Sequence, residues 1–271
     1  MKRKILKNKP LVEAIFELRW HLKSEETEKV EDEFIKKRPP FGIDPHYKLL
    51  AGRLYDKLVN EYSYHEQLPA ANMPDEIAGY IVQHRFRKEE NGWPLIQLGP
   101  GILTVNDTEG YKWEDFKERI KYAVESFFSI YPNASEELKI SSLTLRYIDA
   151  IDFNYENDNI FIFLKEKMKT NVELYQKLFE NTHVNSIPSN FDLRFEFESE
   201  KPKGRIFIKF GKGRNRKTES DTIMWETIIN SKYEDLKNAQ QEISKWIDIA
   251  HEITDDWFFK LIEGELEKRF E

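Results

Sequence analysis

The chain has 271 residues, a formal net charge of -7, and 39% hydrophobic, 14% aromatic and 34% charged residues. A chain of this length can bury a sizeable core, and the high charged fraction describes a solvated, acidic, globular protein. With no cysteine, disulfides and thiolate metal sites are excluded. No stretch approaches the ~18 apolar residues of a membrane span, and the basic, interrupted start "MKRKILKNKPLVEAIFELRW" is not expected to be a signal peptide, so the expected setting is the cytoplasm.

The first strong pattern is "LVEAIFELRWHL", residues 11–22. Val12, Ala14, Phe16, Leu18, Trp20 and Leu22 alternate with Glu13, Glu17, Arg19 and His21, which predicts a half-buried strand. A charged stretch at 24–40 holds a candidate short helix closed by Pro39 and Pro40. Leu50, Leu54, Leu58 and Tyr62 then recur at helical spacing behind Asp44 and Pro45, a cap and first-turn signal. "EQLPAANMPD" reads as a break. "GYIVQHRFRK" and "PLIQLGPGILTVN" read as strands joined by a turn at Asn91 and Gly92.

Phe116, Ile120, Val124 and Phe127 stripe a helix, and "LKISSLTLRYIDAIDF" is the next strand. A helical stretch is predicted from about Asn159 to Asn181, broken near Thr170. "FDLRFEFES", "GRIFIKF" and "DTIMWETIIN" read as a three-stranded meander, and residues 232–270 as one long closing amphipathic helix. Its Trp246, Trp257, Phe258 and Phe259 exceed one buried stripe, leaving core packing or a dimer or partner groove open.

"KWEDFK" (112–117) and "KYEDLK" (232–237) each follow a strand ending in Asn and each open a helix. This repetition predicts an α+β protein of tandem ferredoxin-like halves, 1–136 and 137–271, with antiparallel sheets covered by helices on one face. No Gly- or Ser-rich linker separates the halves, so they are expected to share one core.

By alternation the uncovered face carries Glu13, Glu17, Arg19, His21, Arg146, Asp152, Asp192, Arg194, Glu196 and Glu198. Two readings follow: a cross-strand charge ladder facing water, or a polar cleft in which Arg19 and Arg146, with Glu17 and Arg194, hold an anionic or polar ligand. Because Phe16, Trp20, Tyr147, Phe195 and Phe197 fall on the other face, base stacking on the sheet is not expected.

From Lys201 to Lys217 there are eight Lys or Arg residues and no acid, in a segment containing Lys212, Arg214, Arg216 and Lys217. "GKGRNRK" lacks the spacing of a phosphate-binding loop. The segment is either a solvated hairpin, with Gly211 and Gly213 in its turn, or a grip for a nucleic-acid backbone or an acidic partner. No catalytic constellation stands out: "HEITDD" places Asp255 one turn after His251 but lacks the second histidine of a zinc-protease helix. No metal or other cofactor is expected.

"KPLVEAIFELRW", "IQLGPGILTVNDTEGYKWEDFKERI" and "LTLRYIDAID" resemble the landmarks of a sporadically distributed, functionally uncharacterised family of bacterial and archaeal proteins. The landmarks are Pro10 to Glu13, Gln97 to Pro100, Tyr111 to Phe116 and Leu145 to Tyr147, with a looser match through His251 and Phe258. The resemblance implies no catalytic residue; its patchy distribution implies mobile elements and a role in phage defence or toxin neutralisation. The leading expectation is a non-catalytic binding or regulatory protein that recognises a protein partner or an anionic ligand. The alternative is a nucleic-acid-binding or RNA-processing protein using the basic hairpin 201–217. A third is a small-molecule enzyme whose substrate Arg19 and Arg146 hold.

Overall fold

The computed structural model describes residues 6–22, 44, 46–74, 78–108, 110–236 and 239–271. The helix predicted within 24–40, and Pro45, lie outside them. In chain order the elements are β1 (Leu11–Leu22), α1 (Tyr47–Leu58), β2 (Tyr64–Gln67), β3 (His84–Arg87), β4 (Leu95–Gly99), β5 (Ile102–Asp107), α2 (Trp113–Ile130), α3 (Ala134–Glu137), β6 (Leu138–Asp152), α4 (Ile160–Lys167), β7 (Asp192–Glu200), β8 (Lys203–Arg214), β9 (Asp221–Lys232), α5 (Ala239–Ile262) and α6 (Glu265–Phe270). Among the described residues the strands form one open, antiparallel, nine-stranded sheet in the order β2-β3-β4-β5-β1-β6-β9-β8-β7.

The alternation of β1 decides which face the helices cover. Ala14, Phe16, Leu18 and Trp20 are all but fully buried, and burying each large side chain contributes about 1.5–3 kcal/mol. Trp20 meets Phe127 of α2 with ring centroids 4.5 Å apart. Val12 departs from the expected stripe and is 45% exposed, because the β1–β6 register slips between Leu11 and Glu13. In α2 the buried stripe is Phe116, Ile120, Ala123, Val124 and Phe127, while Glu114 and Asp115 sit in the first turn, where the helix dipole favours acids.

Several predicted boundaries move, each for a local reason. The strand predicted over "PLIQLGPGILTVN" is the β4–β5 hairpin: Pro100 and Gly101, with φ 74° at the glycine, make a turn that other residues adopt poorly. α4 starts where the Asn159 side chain accepts from the Phe161 N–H at 2.9 Å. It stops at Lys167, at the break expected near Thr170, where Lys169 turns left-handed at φ 51° and the Thr170 N–H reaches back to Leu164 O; of the helical stretch expected on to Asn181 only a 3-10 turn at Gln176–Leu178 forms. The closing helix predicted over 232–270 is two helices, separated at Gly264 (φ 105°), and "KYEDLK" does not open it: Lys232 ends β9, Tyr233–Asp235 is a 3-10 turn and α5 begins at Ala239. β2 lies within the stretch around 64–67 that the sequence shows only as the edge of a break.

The core consists of two packed clusters. One joins β1, β4, β5, α1, α2 and the first half of α5; the other joins Ile151, Ile208, Phe210, Ile223 and Trp225 to α4, the end of α5 and α6. Trp257 packs against both. Trp246 is buried with its Nε1 donating to Ser231 Oγ at 2.8 Å, and Phe258 stacks over Trp225. These aromatics of α5 serve the core.

Candidate functional site

Residues paired across an antiparallel ladder share a face. One rung on the face away from the helices can therefore be followed through all nine strands: Glu66, Arg85, Gln97, Thr104, Glu17, Thr144, Asn230, Arg205 and Glu198. Every member is polar. The next rung is mixed, carrying Arg87, Asn106, Arg146 and Glu196 among Leu95, Ile15, Ile228 and Phe207, and the one beyond it carries Glu13, Glu226, Lys209 and Arg194 beside Ile148. Six cations (Arg85, Arg87, Arg146, Arg194, Arg205 and Lys209) thus stand among six acids (Glu13, Glu17, Glu66, Glu196, Glu198 and Glu226). The arrangement is balanced in charge.

The predicted cleft residues divide between two places. Arg19 Nε lies 2.7 Å from Glu17 Oε1, and its guanidinium lies 5.2 Å from the Tyr80 ring centroid. Arg146 lies 2.7 Å from Glu226 Oε2, which Lys209 Nζ also approaches to 3.8 Å. Arg19 is paired with Ser142, four residues along β6 from Arg146, so the two arginines stand about 13 Å apart along the sheet. They do not converge on one small ligand. Arg194 lies on the rung of Lys209 and Glu226, with Glu196 at 3.7 Å and the Phe207 ring beneath it at 4.8 Å. Sequence reading missed Glu226 and Lys209; both alternate correctly in "WETI" and "IFIKF", but only the register brings them to Arg146.

The basic segment is mostly strand. Gly211 and Gly213 lie within β8 rather than in its turn, and a Cβ at Gly213 would collide with the Met224 side chain. Acids from neighbouring elements approach the cations: Lys203–Asp235 at 3.2 Å, Arg205–Glu196 at 2.6 Å, Lys209–Glu226 at 3.8 Å, Lys212–Asp221 at 2.7 Å and Arg214–Glu219 at 3.6 Å. Lys212 also sits 4.3 Å from the Tyr155 ring centroid. Arg216 and Lys217 occupy the turn, where Lys217 N–H donates to Asn215 Oδ1 at 2.9 Å.

Under the helices lies a second polar assembly. Tyr111 OH and Tyr147 OH are 3.0 Å apart, and Tyr147 OH is 3.0 Å from His251 Nδ1. Trp113 stacks on His251 at 3.7 Å. Tyr111 and Trp113 flank the start of α2, Tyr147 is on β6 and His251 is on α5, so three separate sequence landmarks meet and clamp two helices onto one strand. Asp149, two residues beyond Tyr147 on the same face, is buried, and burial pushes its carboxyl up to about 8. Trp225, paired with Asp149 across the ladder, has an Nε1 without a hydrogen-bond partner. The same parity as Leu145 and Tyr147 was the available signal for Asp149.

His251 therefore faces the core, and among the described residues no group of three or more His, Asp or Glu could hold a metal ion. An open cleft of about 610 Å³ lies at the far end of β6, lined by Lys9, Val12, Asp152, Asn215, Thr222 and Arg269 among others. Asp152 there accepts from Ser220 Oγ at 2.7 Å. Among the described residues, no helix is long and apolar enough to cross a membrane. In comparisons with known proteins, the sequence matches no family model and no curated protein.

Proposed function

We propose that the protein is a binding protein whose open sheet face recognises a protein partner. The observation that carries this reading is the unbroken polar rung across nine strands, which together with the next two rungs carries six cations and six acids. A mosaic of both signs is complementary to another mixed protein surface, whereas a polyanion is held by uncompensated cations. The ion pairs along 203–214 weigh in the same direction, against the nucleic-acid alternative. The clamp formed by Tyr111, Tyr147 and His251 accounts for those landmarks through assembly of the fold. In the family's implied setting, the partner would belong to a defence or toxin-neutralising system.

The same reading extends to the architecture. β1, α1, β4, β5, α2 and β6, with sheet order β6-β1-β5-β4, follow the ferredoxin-like connectivity if β6 closes the first half. β6, α4, β8, β9 and α5 follow the same path if β1 closes the second. Two tandem halves that each borrow the other's first strand would need no linker, and none is present in the sequence.

The test is capture of the tagged protein from its own host at low and high salt, beside an Arg19→Glu/Arg146→Glu variant. A stoichiometric protein held by the native face and lost by the variant is the expected result. A protein held equally by both, or nucleic acid that high salt removes, overturns the reading.

A further inference from the structure

β7 ends the sheet, and among the described residues β8 is its ladder partner. It is nine residues long, against four for β2 at the opposite edge. Exposed edges of this length are ordinarily blunted by proline, bulges or inward charges. β7 contains no proline, and its pairing with β8 runs in register from Asp192 to Glu200. On the helix-covered face, Phe195 and Phe197 are 40% and 47% exposed although their ladder partners Ile208 and Ile206 are buried. On the other face Arg194 and Glu196 alternate with them.

We infer that β7 is a dimer seam that takes a second copy of this chain, the two β7 strands pairing antiparallel about a two-fold axis at Phe195. A two-fold axis perpendicular to the sheet keeps each face on its own side, so only registers that pair residues of like parity are allowed. With Phe195 opposite Phe195 of the second copy, Arg194 falls opposite Glu196 twice and Leu193 opposite Phe197 twice. A shift centring on Glu196 would place like charges in contact at the axis, and one centring on Arg194 would do the same. Toward the strand ends Asp192 then faces Glu198 twice, so the first register is favoured by the Arg194–Glu196 pairs and the apolar contacts beside its axis; it alone of these three puts no like charges together at the axis itself.

Sedimentation of the native protein over a concentration series reads the dimer directly. Arg194→Glu should weaken it by about 10- to 100-fold, and Arg194→Glu/Glu196→Arg should restore it, since the swap recreates both pairs. The cysteine-free chain permits a register test. A Phe195→Cys variant should form an intermolecular disulfide on mild oxidation. Phe197→Cys should not, because its copies would stand about 13 Å apart, beyond the ~7 Å Cα limit of the bond. A native protein that stays monomeric at about 100 μM overturns the inference. So does a charge swap that fails to rescue, or crosslinking through residue 197 in preference to 195.

Discussion

On the open face, β3 to β5 carry Arg85, Gln97, Thr104 and Asn106, while β7 to β9 carry Arg194, Glu196, Arg205 and Glu226. In the first wing Gln97, Thr104 and Asn106 are buried, and their side chains form a closed chain: Arg85 Nε donates to Gln97 Oε1 at 2.7 Å, Gln97 Nε2 to Thr104 Oγ1 and Asn106 Oδ1 at 3.0 Å, and Asn106 Nδ2 to Glu13 Oε1 at 2.7 Å. In the second wing, Arg205 and Glu196 are 54% and 39% exposed and meet as an ion pair. Identical alternation therefore produces two energetic regimes. Buried amides and hydroxyls stabilise only while every partner is present; solvated charges can exchange a partner for water at little cost.

The largest expected effect lies at the seam between the wings. Asp149 has a folded value of about 8 against an ordinary 3.8, so between those values the folded state holds a proton that the unfolded state has released. Stability from this group is full below about pH 4 and falls as pH rises toward 8. Asp149→Asn removes that slope, and urea unfolding at pH 5 and pH 8 should show the variant gaining on the native protein by on the order of 4 kcal/mol. Equal slopes would show that Asp149 has no such role.

Gln97→Ala should cost about 2 kcal/mol, because it leaves Thr104, Asn106 and Arg85 short of a partner in the buried wing. High salt should leave that loss unchanged. His65 and His84, 3.0 Å apart at the short edge, are both held below the ordinary value by burial, and His84 also by His65. Their contribution has the opposite sign to that of Asp149 and is lost as pH falls below about 6.5, when the unfolded histidines take up protons first. His65→Gln should flatten the acid limb of a melting-temperature profile. Glu196→Ala, in the exposed wing, should cost under about 1 kcal/mol, and the loss should shrink near 1 M salt, where the Debye length falls to about 3 Å. A salt-independent loss at Glu196 equal to that at Gln97 would erase the distinction between the wings.

Much of the architecture was legible where a pattern repeats over many residues. The inward residues Ala14 to Trp20 and the stripe of α2 needed only their spacing. β2, with four residues, is too short for a period to show. The Val12 bulge and the left-handed Lys169 are single-residue events without a compositional sign. The candidate face was legible as a set of charges, but its partners were not: Glu226 is 80 residues from Arg146 in sequence and 2.7 Å away in space.

By itself, the sequence determined that Ala14 to Trp20 and the stripe of α2 point inward, that charges crowd the opposite face of the sheet, and that disulfides and thiolate metal sites are excluded, because alternation, helical spacing and composition are local properties. Only the tertiary structure decided that all nine strands make one sheet with β1 and β6 at its centre, that the basic stretch has acids beside it, and that Tyr111, Tyr147 and His251 meet. Those outcomes depend on strand order and register, which join residues that are distant in the chain and leave no trace in local spacing.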